Sequence, residues 1–109
     1  MYQGTTPTLT FKVPGYDLTD KSVFVSIKSN GGETLTKTGD SLDVSYNSQG
    51  EEEYSLVELR LTQQETLRMR TGDVICQIRF IDSEGNALAT QKATVNVNDV
   101  IYKAVIQHA

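Results

Sequence analysis

The sequence predicts an all-β chain folded as a two-sheet antiparallel β-sandwich of about seven strands with one short helical turn. Three observations carry this reading. Apolar residues alternate with polar ones at Val57, Leu59 and Leu61, and again at Val74, Cys76, Ile78 and Phe80. That period of two marks a half-buried strand. Turn signals recur at short intervals along the chain, as they do in sandwiches. Between the two alternating runs, Thr62 and Glu65 have the spacing of a capping box, which starts a short helix between strands. A closed barrel is the alternative arrangement.

The elements follow in order. The first strand, Thr8 to Val13, puts Leu9, Phe11 and Val13 on one face, and Pro14-Gly15 ends it. Tyr16 to Asp20 is a loop. The second strand, Ser22 to Lys28, turns Val23, Val25 and Ile27 inward and Phe24 outward. Asn30-Gly31-Gly32 suits the positive φ angles of a hairpin, so Thr34 to Thr38 is expected to pair back on it. After a turn at Gly39-Asp40-Ser41, Leu42, Val44 and Tyr46 mark a fourth strand. Asn47 to Glu53 is polar and is expected to be an exposed loop. Strands from Ser55 to Leu61 and from Asp73 to Asp82 flank the Thr62 turn. Ser83-Glu84-Gly85-Asn86 closes a hairpin, with Gly85 left-handed. The last strand, Leu88 to Val97, is expected to face inward at Ala89, Ala93, Val95 and Val97.

The chain divides into a sandwich over residues 1–98 and an apolar tail over 99–109. Asp99 to Ile106 is the most apolar run in the chain. Periodicity fits a strand, with Val100, Tyr102, Ala104 and Ile106 on one face. It fits a helical turn equally, pairing Ile101 with Val105 and Tyr102 with Ile106. Either form carries apolar groups on both faces, and a terminal segment frays unless docked. Val100, Ile101, Tyr102, Val105 and Ile106 are therefore the candidate interface, with another copy or another protein. Sheet edges are the expected second contact, because unpaired backbone groups recruit strands.

At 109 residues the chain is of single-domain size, and its net charge of −4 mixes acids with bases. That disfavours nucleic acid and anionic membranes, which need a clustered basic surface. No apolar run approaches a membrane span. The start of the chain has neither the basic residues nor the apolar core of a secretory signal, so a complete intracellular product is expected.

Residues suited to catalysis are few. Cys76 is the single cysteine and shares an apolar strand face, so it reads as a small buried hydrophobe rather than a nucleophile. His108 is the single histidine and sits in the tail, without the rigid setting that a catalytic imidazole needs. One histidine and one cysteine do not make a zinc site. Asp40, Asp43 and the run Glu51-Glu52-Glu53 could hold calcium loosely, yet lack EF-hand spacing and read as solvated acids. Asp82 and Glu84 belong to turn chemistry. Gly31-Gly32 lacks the lysine and the strand-to-helix setting of a phosphate loop. The chain has no tryptophan on which to stack a sugar, while its five tyrosines read as core-edge packing. No enzyme activity and no cofactor or metal is expected.

Five phrases in fixed order carry a resemblance. They are Gln3-Gly4-Thr5-Thr6-Pro7, Asp17-Leu18-Thr19 ahead of Val23 to Lys28, Leu61-Thr62-Gln63-Gln64-Glu65-Thr66, Gly72-Asp73-Val74, and Phe80-Ile81-Asp82-Ser83-Glu84-Gly85-Asn86. Together they resemble the immunoglobulin-like N-terminal domain of phage baseplate upper proteins, and related small tail-associated proteins of prophages in Gram-positive bacteria. The likeness runs from Gln3 to about Val97. It departs at Thr5-Thr6, where the family often has aspartate, and at Thr19-Asp20, where glycine is common. The resemblance implies an immunoglobulin-like sandwich and a non-enzymatic structural protein of the virion, made in the bacterial cytoplasm. Such a protein would associate with itself and with other tail or baseplate proteins. The alternative is a small module that recognises a glycan or a host surface protein.

Overall fold

The computed structural model describes residues 1–29 and 31–107. Its strands are β1 (Thr8–Pro14), β2 (Ser22–Ser29), β3 (Thr34–Thr38), β4 (Leu42–Asn47), β5 (Tyr54–Arg60), β6 (Gly72–Ile81), β7 (Ala87–Ala89) and β8 (Ala93–Val97). A 3-10 turn spans Gly39–Ser41, and one short helix, α1, spans Gln63–Arg68. The strands form two antiparallel sheets rather than a closed barrel. One has the order β1-β5-β4; the other has the order β3-β2-β6, with β7 and β8 both along the far edge of β6. In an immunoglobulin-like sandwich a four-stranded sheet, ABED, faces CFG. Here β1, β5 and β4 stand where B, E and D would be, and no described strand occupies the place of A.

The alternating residues meet between the sheets. Val25, Val57, Leu59, Leu61 and Val74 have no exposed surface, and Val23, Ile27, Cys76, Ile78, Phe80 and Val97 join them in one cluster. Val95 is only partly buried against it. Two core members come from irregular segments. Leu18 is buried because Ser55, itself fully buried on β5, grips the preceding loop. The Ser55 hydroxyl donates to the Tyr16 carbonyl at 2.7 Å and accepts from the Leu18 N–H at 2.9 Å. Met69 is buried at the end of α1.

The predicted capping box is present. The Glu65 N–H donates to the Thr62 hydroxyl at 3.2 Å, and the Thr62 N–H donates to the Glu65 carboxylate at 2.9 Å. Glu65 also pairs with Lys37 of β3 at 2.8 Å. Burial pushes the Glu65 carboxyl up, but the Lys37 ammonium and the Thr62 hydrogen bonds outweigh it and hold the pKa below 4.5. The hairpin from β2 to β3 forms as expected, with Ser26 opposite Thr36. Gly31 has φ 67° there, and Asn30 lies outside the described residues. Gly85 has φ 89°, the left-handed geometry expected of it.

The last strand departs from expectation. It is broken into β7 and β8; Ala89 faces outward, whereas Ala93 faces inward as expected but is exposed. The cause is a one-residue bulge. Arg79 faces Ala89 and Cys76 faces Ala93, so Gln77 and Ile78 oppose Thr90, Gln91 and Lys92. An extra residue reverses the alternation of a strand. Across the bulge the inward set changes from Ala93, Val95 and Val97 on β8 to Leu88 on β7, opposite buried Phe80. Ala89 turns outward with Arg79. Thr90 repairs the ladder: its N–H donates to the Ile78 carbonyl at 2.8 Å, and its hydroxyl accepts from the Ile78 N–H at 3.1 Å.

Truncating Ile78 to Ala is expected to destabilise the chain by about 2–5 kcal/mol, a large share of the ~5–15 kcal/mol typical of a domain. Chemical denaturation checks this; an unchanged midpoint would contradict its central packing. Thr62→Ala is expected to cost about 1 kcal/mol through loss of the cap. The Glu65 contribution has a depressed folded pKa, so it is present above the unfolded carboxylate value of about 4.3 and fades as pH falls through the folded value. The stability difference between the wild type and Glu65→Gln should therefore be seen at neutral pH and vanish in acid; a difference that persists in acid would assign it to packing instead.

Candidate functional site

Among its described residues, 99–107, the tail is neither strand nor helix; it runs as irregular chain over the end of the sandwich, which resolves the two forms allowed by its periodicity in favour of neither. Its backbone is held at few points. The Ile106 N–H donates to the Gln63 side chain at 2.8 Å, and the Gln63 amide donates back to the Ile106 carbonyl at 3.2 Å. Lys103 pairs with Asp99 and donates to the Gln3 side chain at 2.7 Å. Gln3 is itself buried, and its amide donates to the Met69 carbonyl at 2.6 Å. One glutamine thus joins the start of the chain, the end of α1 and the tail.

These contacts are polar and leave the candidate interface side chains largely uncovered. Ile101 is 103% exposed, Tyr102 68%, Ile106 63% and Val105 43%. Val100 alone is half-buried, beside Gly4. Full burial of such a side chain contributes roughly 1.5–3 kcal/mol, and contiguous apolar surface of this kind marks an interaction site. The radius of gyration, 15.2 Å, exceeds the ~13 Å expected of a compact chain near this length. An elongated sandwich with a tail lying outside it accounts for the excess.

A second feature was not legible in the sequence. Between β1 and the β7–β8 edge the two sheets part, leaving an apolar groove of about 650 Å³. Phe11 and Val13 of β1 line one wall; Cys76, Ile78, Phe80, Leu88 and Ala93 line the other. Leu88 faces inward with Phe80 yet is 46% exposed, because no strand of the opposite sheet reaches over it. Tyr16 closes the end of the groove, its ring packed on Phe80 with centroids 5.1 Å apart. The signal in the sequence was an absence: no alternating run precedes Thr8.

The other residues considered for chemistry are placed as follows. Cys76 is buried between the sheets, and burial pushes its thiol above 9.0, away from the reactive thiolate. His108 lies outside the described residues. Glu52 pairs with Lys12 at 3.0 Å, and Glu53 accepts from the Tyr46 hydroxyl at 2.9 Å, which raises the phenol pKa. Lys12 also lies over the Tyr54 ring, 4.5 Å from its centroid. Among the described residues no three His, Cys, Asp or Glu side chains gather to hold a metal ion. Among the same residues no helix is long and apolar enough to cross a membrane.

The loops at the end of the sandwich farthest from the tail are acidic. Gly15 N–H donates to the Glu53 carbonyl at 2.9 Å, joining the loop of Asp17 and Asp20 to that of Glu51, Glu52 and Glu53. Ser22 lies opposite Ile81, which brings the hairpin of Asp82 and Glu84 to the same end. The Thr19 hydroxyl and N–H hold the Asp17 carboxyl below its usual range, and the Asn86 N–H does the same for Asp82. At the tail end, Arg60, Arg68 and Arg70 are exposed beside Glu33 and Asp73.

Compared with known proteins, the chain matches no family model, no curated protein and no solved structure.

Replacing Gln3 by Leu is expected to leave the Met69 carbonyl without its partner, at a cost of about 1–3 kcal/mol, and to release Lys103. Backbone relaxation should then show residues 99–107 moving faster while the strands stay rigid. Unchanged tail dynamics would mean that Gln3 is not the tether.

Proposed function

We propose that this chain is a non-enzymatic structural protein that assembles with copies of itself and with other proteins of a phage or prophage tail. One observation carries the assembly part: an apolar segment, Val100 to Ile106, lies outside a sandwich that already has its core. Four of its side chains face water, and the polar contacts at Gln3 and Gln63 position the segment without covering it. The open groove beside β1 is a second apolar surface with unpaired strand edges around it. A chain with both features is suited to association, since edges recruit strands and apolar patches recruit cover.

The phage assignment rests on the ordered phrases of the sequence, two of which have a defined local structure. Leu61 to Thr66 forms the capped helix, and Asp82 to Asn86 forms a closed hairpin in which Asp82 accepts from the Glu84 and Asn86 N–H groups. Both phrases therefore have structural work to do in a sandwich of this kind.

Mass spectrometry and immunogold microscopy of particles released from the bacterium that carries the gene test this reading. The chain should co-purify with tail proteins at fixed stoichiometry and label the tail or its base. Absence from particles in which tail proteins are detected would overturn it. Binding on a glycan array by a chain absent from particles would favour the recognition module instead.

A further inference from the structure

We propose that the groove beside β1 is the acceptor for the tail of a second copy of this chain, so that copies join head to tail by strand addition. The inference deepens the assembly reading above and rests on it.

The groove is one strand short. The sheet β1-β5-β4 is three strands wide and faces a sheet with four ranks, β3, β2, β6 and the broken strand β7–β8. The missing place is the free edge of β1, where strand A of an immunoglobulin-like sandwich would lie. That edge is regular over Thr8–Pro14, whereas the opposite edge is interrupted by the Thr90 bulge. A strand added to β1 would lay one of its faces on Leu88 and Ala93, which point inward but are uncovered. Backbone pairing supplies affinity in such complexes, and alternate side chains supply fit.

The tail has the matching pattern. Val100, Tyr102, Ala104 and Ile106 alternate without a charge, and Lys103 falls on the other face. Among the described residues Lys12 is the one charged side chain lining the groove, and Glu52 already pairs with it. An uncharged strand face therefore suits the groove.

Its own tail is turned away. To fold back, the tail would form a hairpin on the free edge of β8, starting at Asn98. Met1 to Gln3 hold that position: the Gln3 N–H donates to the Asn98 carbonyl at 3.0 Å, the Asn98 N–H to the Met1 carbonyl at 2.6 Å, and the Met1 ammonium to the Asn96 carbonyl at 2.9 Å. The tail is directed instead over α1, at the end opposite the acidic loops.

Charge sets the direction. A tail that enters the groove at the Pro14 end runs antiparallel to β1. It brings the tail end of its own copy, where Arg60, Arg68 and Arg70 outnumber Glu33 and Asp73 and the Lys37–Glu65 and Lys103–Asp99 pairs are neutral, toward Asp17, Asp20 and Glu51 to Glu53 of the acceptor. Such complementarity steers encounter and fixes register. The contact is heterologous, so it propagates into a ring or a filament rather than closing as a symmetric dimer.

Complementation between two full-length variants tests this. Leu88→Arg blocks the groove and keeps the tail; Ile106→Asp spoils the tail and keeps the groove. In analytical ultracentrifugation the wild type should grow in mass with concentration, and each variant alone should stay monomeric. An equimolar mixture should form a heterodimer and stop there, and added salt should weaken it. A wild type that is monomeric at millimolar concentration overturns the proposal. So does a variant that associates like the wild type, or a mixture that stays monomeric. If Leu88→Arg fails to fold, NMR of the Ile106→Asp chain with a peptide of residues 99–107 decides. Shifts at Phe11, Val13, Leu88 and Ala93 support the groove; shifts elsewhere, or none, overturn it. Incorporation of the chain into particles despite a failed mixture would leave the assembly reading standing and remove this inference alone.

Discussion

Two sheets of unequal width must close over one apolar core, and most other features follow from that mismatch. The strands β1, β5 and β4 cover β3, β2 and β6 well, which is why Val25, Val57, Leu59 and Val74 are fully enclosed. They do not reach the fourth rank. There the strand breaks at Thr90, and Leu88 and Ala93 face inward without cover. The bulge turns Leu88 inward in place of Ala87 and Ala89, and the Thr90 hydroxyl keeps the Ile78 N–H satisfied where the ladder is interrupted.

The connections between the sheets are under similar control. The chain crosses between the sheets three times, and the crossing from β3 to β4 is made by the 3-10 turn Gly39–Ser41. The first crossing, from β1 to β2, is pinned by a serine hydroxyl. Ser55 bonds to both ends of the Tyr16-Asp17-Leu18 loop and so drives Leu18 into the core. The last crossing, from β5 to β6, is pinned by the Thr62 cap, with Lys37 reaching across from β3 to the Glu65 carboxylate. Thr66 completes it. Fully buried, it donates its hydroxyl to the Thr5 carbonyl at 2.8 Å and ties the approach to β1 onto the helix. Among the described residues no buried side-chain polar atom lacks a partner. The ends of a sandwich are where such groups are hardest to satisfy.

What could be read from the sequence was what depends on neighbours along the chain. The inward alternation of β2, β5 and β6, the capping box and the Gly85 turn are all local patterns, and each stands where it was expected. The bulge was not legible, because Thr90, Gln91 and Lys92 look like any polar stretch of an exposed strand. Only the register of β6 shows that three residues face two. Leu18 was missed for a related reason: its burial depends on a serine far along the chain. The exposed apolar tail was legible from composition, but its irregular path was not. That path is set by Gln3 and Gln63, side chains with no periodic signature. The groove required knowing which strands share a sheet.

The gathering of acids at one end gives the molecule an electrical direction as well as a structural one. Asp17, Asp20, Glu51, Glu52, Glu53, Asp82 and Glu84 lie on three loops at one tip of a body 44 Å long, with Lys21 and Lys12 as the cations paired to Asp20 and Glu52. Two such tips repel each other at low ionic strength, so copies meeting in solution are turned away from the tip-to-tip encounter before any side chains touch. Screening by salt removes this preference, since the Debye length at physiological ionic strength is about 8 Å. The sandwich thus carries a sense of up and down that its nearly regular sheets would not by themselves provide.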